Sequence, residues 1–409
     1  MGVFELDHAT ASSIIKKFGS PVYVYSEEIL RKCCRDLMEA FNGRLSPSYS
    51  IKANSNLSIL KIVREEGLKA DAMSPGEIYL LEKAGFDHSE MFYISNNVSA
   101  EEMRFAIDRG ILTSVDSLSQ LETYGKINRG GRVAIRFNPG LGVGHCDKVI
   151  TGGHKTKFGV QEEFWPQVKD IVKAYDLQLV GINHHIGSLF LEPSQYVKAA
   201  KNLLDFAAEH FPGLDFIDFG GGFGVPYKPE ENRLDYKDFT DQLFAVFDEF
   251  LEKYDNKDVH FKCEPGRYVV CECGAILGTV HSIKENFQHK YVGTDIGFNV
   301  LMRPVMYDSY HEVKVISEGS SSCCCSHDDE PATVVGNICE SGDILAKDRK
   351  IGHVELGDII EVMNAGAYGY SMASNYNCRL RPAEVMIKLD GSVELIRKAD
   401  TYETLVEGF

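Results

Sequence analysis

The sequence has little to attract a polyanion and nothing long enough to cross a bilayer. Lys and Arg number 43 against 60 Asp and Glu, a net charge of −17, and no basic tail offsets it. Nucleic acid is therefore excluded as an expected partner, because phosphate neutralisation needs clustered cations. No apolar run approaches the ~20 residues of a membrane-spanning helix. The opening M-G-V-F-E-L-D lacks the basic and apolar regions of a secretory signal. Leu6 stands where a myristoylation motif wants Ser or Thr. Paired C-x-x-C motifs at zinc spacing are missing too: the 11 cysteines are odd in number and irregularly placed, and Cys271 and Cys273 have no nearby His. A cytoplasmic protein with reduced thiols and no metal is expected.

What is present is a globular composition, 44% hydrophobic and 25% charged, over 409 residues. That length predicts two domains, or a barrel with a smaller partner. Eight β-prone runs recur at 47–51, 68–72, 91–95, 112–116, 132–137, 179–185, 214–219 and 259–263. Most are separated by stretches with helical apolar spacing, such as Leu57, Leu60, Ile62 and Val63. This alternation predicts parallel βαβ units, and eight of them predict a (β/α)8 TIM-like barrel over residues 27–267. From Tyr268 onwards β-prone runs continue without long helices, at 268–270, 275–280, 291–293, 311–316, 359–362 and 384–388. They predict a C-terminal all-β domain, a sandwich or barrel, over 268–409. Residues 1–26 form an N-terminal segment whose run Pro21 to Tyr25 joins that β domain as a strand. Within it, 317–331 is a polar Ser/Cys loop; its Cys323, Cys324, Cys325 and His327 fit one metal ion poorly, because adjacent cysteines cannot share a tetrahedral site.

Chemistry in such barrels sits at the C-terminal ends of the strands. The exits here carry Lys52, Asp71, Ser95 with Asn96, Asp116, Asn138, His185, Gly220 to Gly222, and Glu264. Gly220-Gly221-Gly222-Phe223-Gly224 follows an apolar strand, where glycines let backbone N–H groups approach an anion. It matches neither G-x-x-x-x-G-K nor G-x-G-x-x-G. Glu264-Pro265-Gly266-Arg267 at the next exit adds a second turn with one fixed cation. The seventh and eighth exits are the usual phosphate site of a barrel. A phosphate site plus a lysine at the same barrel mouth points to pyridoxal 5'-phosphate, with Lys52 as its Schiff-base lysine and Glu264 as the partner of its pyridine nitrogen.

The motifs Y-S-I-K-A-N-S-N (49–56), H-I-G-S (185–188), G-G-G-F-G (220–224), E-P-G-R (264–267), R-P-V-M-Y (303–307), C-E-S-G-D (339–343) and A-G-A-Y-G-Y-S-M-A-S-N-Y-N (365–377) occur in one order. In them the chain resembles the barrel-type, alanine racemase-like pyridoxal-phosphate decarboxylases, and within that family the diaminopimelate decarboxylases, from about Pro21 to Arg397. The resemblance implies that Lys52 bears the cofactor, His185 stacks on its ring, and Ser188, Gly221, Gly222, Gly266 and Arg267 hold its phosphate. It implies that Arg267, Arg303, Tyr307, Glu340 and Tyr368 bind substrate, Tyr368 also touching phosphate, and that Cys339 donates a proton. It further implies a homodimer with shared active sites, the Cys339-Glu340 segment entering the partner's site. Asp71 is included as a cofactor-side residue. Taken singly, His185 reads as a packed or surface histidine, Cys339 as a buried small hydrophobe, and Asp71 and Asp116 as turn or cap residues. The common order of the motifs selects the functional reading for His185 and Cys339, and leaves both readings open for Asp71.

The expected reaction is decarboxylation of meso-2,6-diaminopimelate to L-lysine and CO2, the last step of lysine biosynthesis. Two arginines suit the distal carboxylate and Glu340 the distal ammonium. The alternatives are decarboxylation of ornithine, arginine or lysine, a racemase, and a catalytically inactive barrel that regulates partner proteins. Three features depart from the family pattern: Leu189, the loop Gly140 to His154, and the Ser/Cys loop.

Overall fold

The computed structural model describes residues 4–140, 143–144, 152–153, 156–318 and 331–409. Cys323, Cys324, Cys325 and His327 of the Ser/Cys loop, and most of Gly140 to His154, lie outside the described residues. The chain divides into two compact units: one spans 33–226 and 232–269, the other Met1–Lys32, Tyr227–Glu231 and Val270–Phe409.

In the first unit eight parallel strands close a barrel: Ser46–Ser50, Lys69–Ala72, Met91–Ile94, Leu112–Val115, Arg132–Asn138, Gln178–Asn183, Phe216–Asp218 and His260–Cys263. Each pairs with its successor, and the last returns to Ser46–Ser50. All eight strands expected from the sequence are present. Parallel pairing requires a crossover between neighbours, and helices such as Leu57–Glu65, Pro75–Ala84, Ala100–Ile107 and Leu118–Ile127 supply it. These four begin on Asn56, Ser74, Ser99 and Ser117, whose side chains accept a backbone N–H of the first turn. Each such cap contributes about 1 kcal/mol and starts its helix within a few residues of a strand exit.

The barrel interior is layered. Phe92, Ile94, Ala134, Val180 and Phe216 form an apolar cluster, with the Phe92 and Phe216 rings edge to face at 5.5 Å. Gly181 makes room for it: a Cβ there would lie 2.3 Å from the Phe216 ring. The Lys262 ammonium covers the cluster, 3.9 Å from the Phe216 ring centroid. Strand period two then turns the interior polar, since Arg136 follows Ala134 and Asp218 follows Phe216 on the same face.

The second unit is a mixed sheet. Val22–Ser26 lies inside it, antiparallel to Gly274–Asn286 and parallel to Ala383–Ile387. Tyr25 donates its hydroxyl to the buried Glu384 carboxylate at 2.7 Å, and Arg397 pairs with the other oxygen. The expectation of a strand at 268–270 is corrected. Tyr268 to Val270 complete the short helix Arg267–Val270, because the turn at Gly266, whose carbonyl accepts from Val269 N–H at 3.2 Å, overrides the β preference of two valines.

Glu361, in the strand Ile359–Val362, lies opposite Leu277 and Lys314 and is 1% exposed. Its Oε1 has no hydrogen-bond partner among the described residues. Burial pushes its pKa from 4.5 to about 7, against the pull of Lys314. The folded state thus holds this proton more tightly than the unfolded chain. Stability is complete below pH ~4.5, falls as pH rises towards 7, and stays reduced above it, by about 3 kcal/mol. Glu361→Gln should therefore raise Tm at pH 8 but not at pH 4.5. Equal Tm for the two proteins at pH 8 would contradict this.

Candidate active site

The strand Ser46–Ser50 stops one residue short of the expected end, and Lys52 sits in a 3-10 turn, Ile51–Ala53, between two buried residues. Its root is fixed by a chain of bonds. Tyr49 donates its hydroxyl to the Asn54 carbonyl at 2.9 Å, Asn54 Oδ1 accepts from Asn56 N–H at 3.0 Å, and Asn56 Oδ1 accepts from Ser58 N–H at 2.9 Å. The last bond caps the helix Leu57–Glu65. Ala53-Asn54 is thus a rigid joint between strand and helix.

Around Lys52 the barrel gathers acids. Asp71 is fully buried and accepts the Ser50 hydroxyl at 3.0 Å on both oxygens. Burial pushes its pKa to about 8, opposed by Lys52 and reinforced by Glu77. Glu77 accepts from the Met73 N–H at 2.6 Å, and burial raises its pKa against the same lysine. Asp218 accepts from Gly220 N–H at 2.9 Å and is raised by burial to about 6. Glu264 is 5% exposed, and its Oε1 finds no partner among the described residues. Its pKa is driven well up by burial and by Asp218 and Asp71, while Lys52 and Arg136 pull the other way. Burial thus favours the protonated carboxyl, whose Oε1 is left without a hydrogen-bond partner among the described residues. His185 is held well below the usual imidazole range by burial and by Lys52 and Arg136. It stays an uncharged ring.

Three loops interlock beside these groups. A Cβ at Gly221 would lie 2.0 Å from the Glu264 carbonyl oxygen, and one at Gly222 2.7 Å from that of Gly187. Gly222 also has φ +107. Only glycine allows these close approaches. Phe190 N–H donates to Gly222 O at 3.1 Å, and Gly224 N–H to Phe190 O at 3.0 Å. Arg267, 6% exposed, donates to the Ser188 hydroxyl at 3.1 Å. Leu189 takes a left-handed φ of +68, a conformation a glycine adopts without strain.

The structure therefore brings Lys52, Asp71, His185 and Glu264 into mutual electrostatic reach, with Ser188, Gly221, Gly222 and Arg267 in the adjoining loops. Other exits serve otherwise. Asn138 organises its own loop, donating to Gly153 and Phe158 carbonyls and accepting from Gly140 and Gly153 N–H. Asp116 is raised by burial and steadied by Arg136 and the Gly159 N–H. Ser95 is buried; Asn96 accepts from Asn97 on the surface.

The remaining expected site residues belong to the second unit. Arg303 is 1% exposed at the start of the short helix Arg303–Tyr307, which also carries Tyr307. Cys339 and Glu340 are exposed on a turn tied by Asp343, whose carboxylate accepts from Phe298 N–H at 2.7 Å and Ile338 N–H at 2.8 Å. Cys339 N–H donates to Asn377 Oδ1 at 2.8 Å, and Tyr376 donates its hydroxyl to Glu340. Tyr368 has φ +56, two residues after Gly366, where a Cβ would collide with the Val270 carbonyl at 1.8 Å.

Sequence reading passed over Glu77, Arg136, Asn183 and Asp218. Arg136 and Asp218 lie two residues before the exits Asn138 and Gly220, and Asn183 two before His185, on the inward face of strand period two; that spacing was the available signal. Glu77 carried none, because it lies on a helix.

The pyridoxal-binding domain of the pyridoxal-dependent decarboxylases matches residues 27–271. A diaminopimelate decarboxylase of Methanothermobacter thermautotrophicus is 41% identical over 98% of this chain and 94% of its own. Among solved structures, diaminopimelate decarboxylase from M. jannaschii in co-complex with L-lysine superposes with TM-score 0.89 at 32% identity, covering 100% of this chain and 96% of that one. The Helicobacter pylori diaminopimelate decarboxylase complexed with L-lysine gives 0.87 at 31% identity, covering 97% and 100%.

Proposed function

From the premise that this chain belongs to the diaminopimelate decarboxylases, within the pyridoxal-dependent decarboxylase family, we propose how its residues divide the work. The reaction is decarboxylation of meso-2,6-diaminopimelate to L-lysine with pyridoxal phosphate as cofactor. The observation that carries the reading is the buried Glu264 carboxyl with an unpartnered oxygen, in electrostatic reach of Lys52 and packed against the Gly221 loop. That donor set fits a phosphorylated pyridine aldehyde: an amine for the aldehyde, a carboxyl for the ring nitrogen, and glycine loops with Arg267 and Ser188 for the phosphate.

When bound, pyridoxal phosphate supplies the electron sink that accepts the pair released as CO2 leaves. The protein does the rest. Lys52 would hold the cofactor through its amine and be the group the substrate amine replaces. Glu264, whose pKa is raised by burial, would hold the ring nitrogen and share a proton with it. His185, held below the usual imidazole range, would lie beside the ring without adding charge next to Lys52. Asp71 receives the Ser50 hydroxyl and steadies Lys52 from the strand below, as a cofactor-side residue. Gly266 completes the phosphate loop, and Tyr368 reaches both phosphate and substrate. Arg267 and Arg303 take the distal carboxylate, Glu340 the distal ammonium, and Tyr307 the substrate chain. Cys339 returns a proton to Cα after CO2 departs.

We propose a homodimer in which the Cys339-Glu340 turn enters the partner's site; the exposure of both residues on a turn braced by Asp343 supports it. A cytoplasmic setting is supported by the free thiols of Cys263, Cys339 and Cys378 among the described residues. No helix among the described residues is long and apolar enough to cross a membrane.

The test is CO2 release from a panel of diaminopimelate isomers, lysine, ornithine, arginine and glutamate. Release from the meso isomer alone is expected; release only from ornithine or arginine would overturn the substrate assignment. Arg303→Ala should raise KM for diaminopimelate by roughly 30-fold or more, the loss of a charge-assisted bond from a buried guanidinium. An unchanged KM would remove Arg303 from the substrate site.

A further inference from the structure

We infer that His311 is a positioning residue that aims the Arg303 guanidinium at the distal carboxylate. The inference rests on the reading of Arg303 as a substrate residue. His311 is fully buried. Its Nδ1 lies 2.9 Å from the Met363 carbonyl oxygen, and its Nε2 2.8 Å from Arg303 Nη1. A carbonyl only accepts, so Nδ1 must carry the proton. Nε2 of the neutral ring is then a lone pair, and it accepts from Arg303. The two bonds fix each other: the Met363 carbonyl selects the tautomer, and the tautomer supplies the acceptor.

The rest of the pocket completes the aim. Arg303 Nη2 donates to the Ser309 hydroxyl at 3.3 Å. The Tyr227 ring lies under the guanidinium, 4.8 Å from Cζ to ring centroid, and meets the His311 ring edge to face at 5.4 Å. Tyr227 in turn receives Cys271 Sγ on its hydroxyl at 3.0 Å. The titratable and charged groups facing His311 are thus Arg303 from the helix Arg303–Tyr307 and Tyr227 from the segment Tyr227–Glu231. Cys271 stands behind Tyr227, and Tyr23 is within electrostatic reach of Arg303 from the strand Val22–Ser26. A guanidinium held by an imidazole, a hydroxyl and an aromatic face has few rotamers left to lose when a carboxylate binds.

Two variants separate the roles. His311→Asn retains an amide that can reach the Met363 carbonyl but offers nothing at the Nε2 position. It should raise KM for diaminopimelate roughly tenfold, with kcat little changed. His311→Gln places a carbonyl oxygen near the Nε2 position and should restore KM to within about threefold. L-Lysine keeps the distal α-amino acid group, so its dissociation constant from the holoenzyme, measured by calorimetry, should move with KM. In the double variant Arg303→Ala with His311→Asn, KM should equal that of Arg303→Ala alone. If Arg303→Ala raises KM but His311→Asn leaves KM and lysine affinity unchanged, His311 does not position Arg303 and this inference alone fails. If Arg303→Ala has no effect, the substrate assignment of Arg303 fails first. Loss of kcat with KM unchanged in both histidine variants would indicate a merely structural ring and would also overturn the inference.

Discussion

Replacing Lys52 by alanine should reduce turnover by about 10^4-fold or more while leaving the fold intact. The side chain leaves from a 3-10 turn whose bonds run through Tyr49, Asn54 and Asn56 and do not involve the ammonium. Truncation beyond Cβ therefore leaves those three bonds in place. Lys52→Arg distinguishes charge from nucleophilicity: it restores a cation beside Asp71 and Glu264 but offers no primary amine, and it should be equally inactive. Borohydride reduction followed by peptide mass mapping gives a readout independent of activity. Cofactor mass should be found on the peptide containing Lys52, and on no peptide of Lys52→Ala. A label on another lysine, or more than a tenth of the original turnover in Lys52→Ala, would refute the assignment.

Glu264→Gln should lower kcat by about 10^2 to 10^3-fold with a smaller change in cofactor affinity. The substitution preserves shape and the packing against Gly221, so the loop geometry survives. What it removes is a transferable proton and the anion left behind. Glu264 is suited to that role because burial, Asp218 and Asp71 raise its carboxyl well above the usual range against the pull of Lys52 and Arg136. An amide can donate to a ring nitrogen only if that nitrogen is unprotonated, and an unprotonated pyridine is a poor electron sink. The visible absorbance of the bound cofactor should therefore shift in Glu264→Gln even where occupancy matches the unmodified enzyme. A kcat within threefold, with an unaltered spectrum, would show that Glu264 does not set the protonation state of the ring.

The acid cluster explains why this end of the barrel is built with so many opposed charges. Asp71, Glu77, Asp218 and Glu264 all have raised pKa values, burial being the first cause in each. Lys52, Arg136 and Lys262 offset part of that cost. Buried charges without such partners would be strongly destabilising. The arrangement leaves protons available near Lys52 at neutral pH, which a site that must exchange one amine for another requires.

Much of the site was legible before the structure. The alternation of apolar strand and amphipathic helix is a local property, repeated eight times, so the barrel followed from period alone. Strand exits then placed Lys52, Asp71, His185 and Glu264 at one end without any knowledge of contacts. The inward residues Arg136, Asn183 and Asp218 were harder, because strands buried on both faces read as nearly continuous apolar runs and hide their period. Val269 and Val270 misled, since β-branched residues favour strands only where a neighbouring strand is available.

The sequence by itself determined the barrel, the β domain with its N-terminal strand, and the identity of the chemical groups at the strand ends. Each depends on spacing along the chain. Tertiary structure alone decided which groups are neutral and which are aimed. The Glu264 carboxyl is raised because water is excluded from it and distant strands bring Asp218 and Asp71 near. His311 reads in the sequence as the start of a β-prone run. It becomes an acceptor for Arg303 only because the Met363 carbonyl, 52 residues away, accepts a hydrogen bond from its Nδ1–H. Charge state and tautomer depend on the dielectric and the partners at a point in space, and those are fixed only when the chain closes on itself.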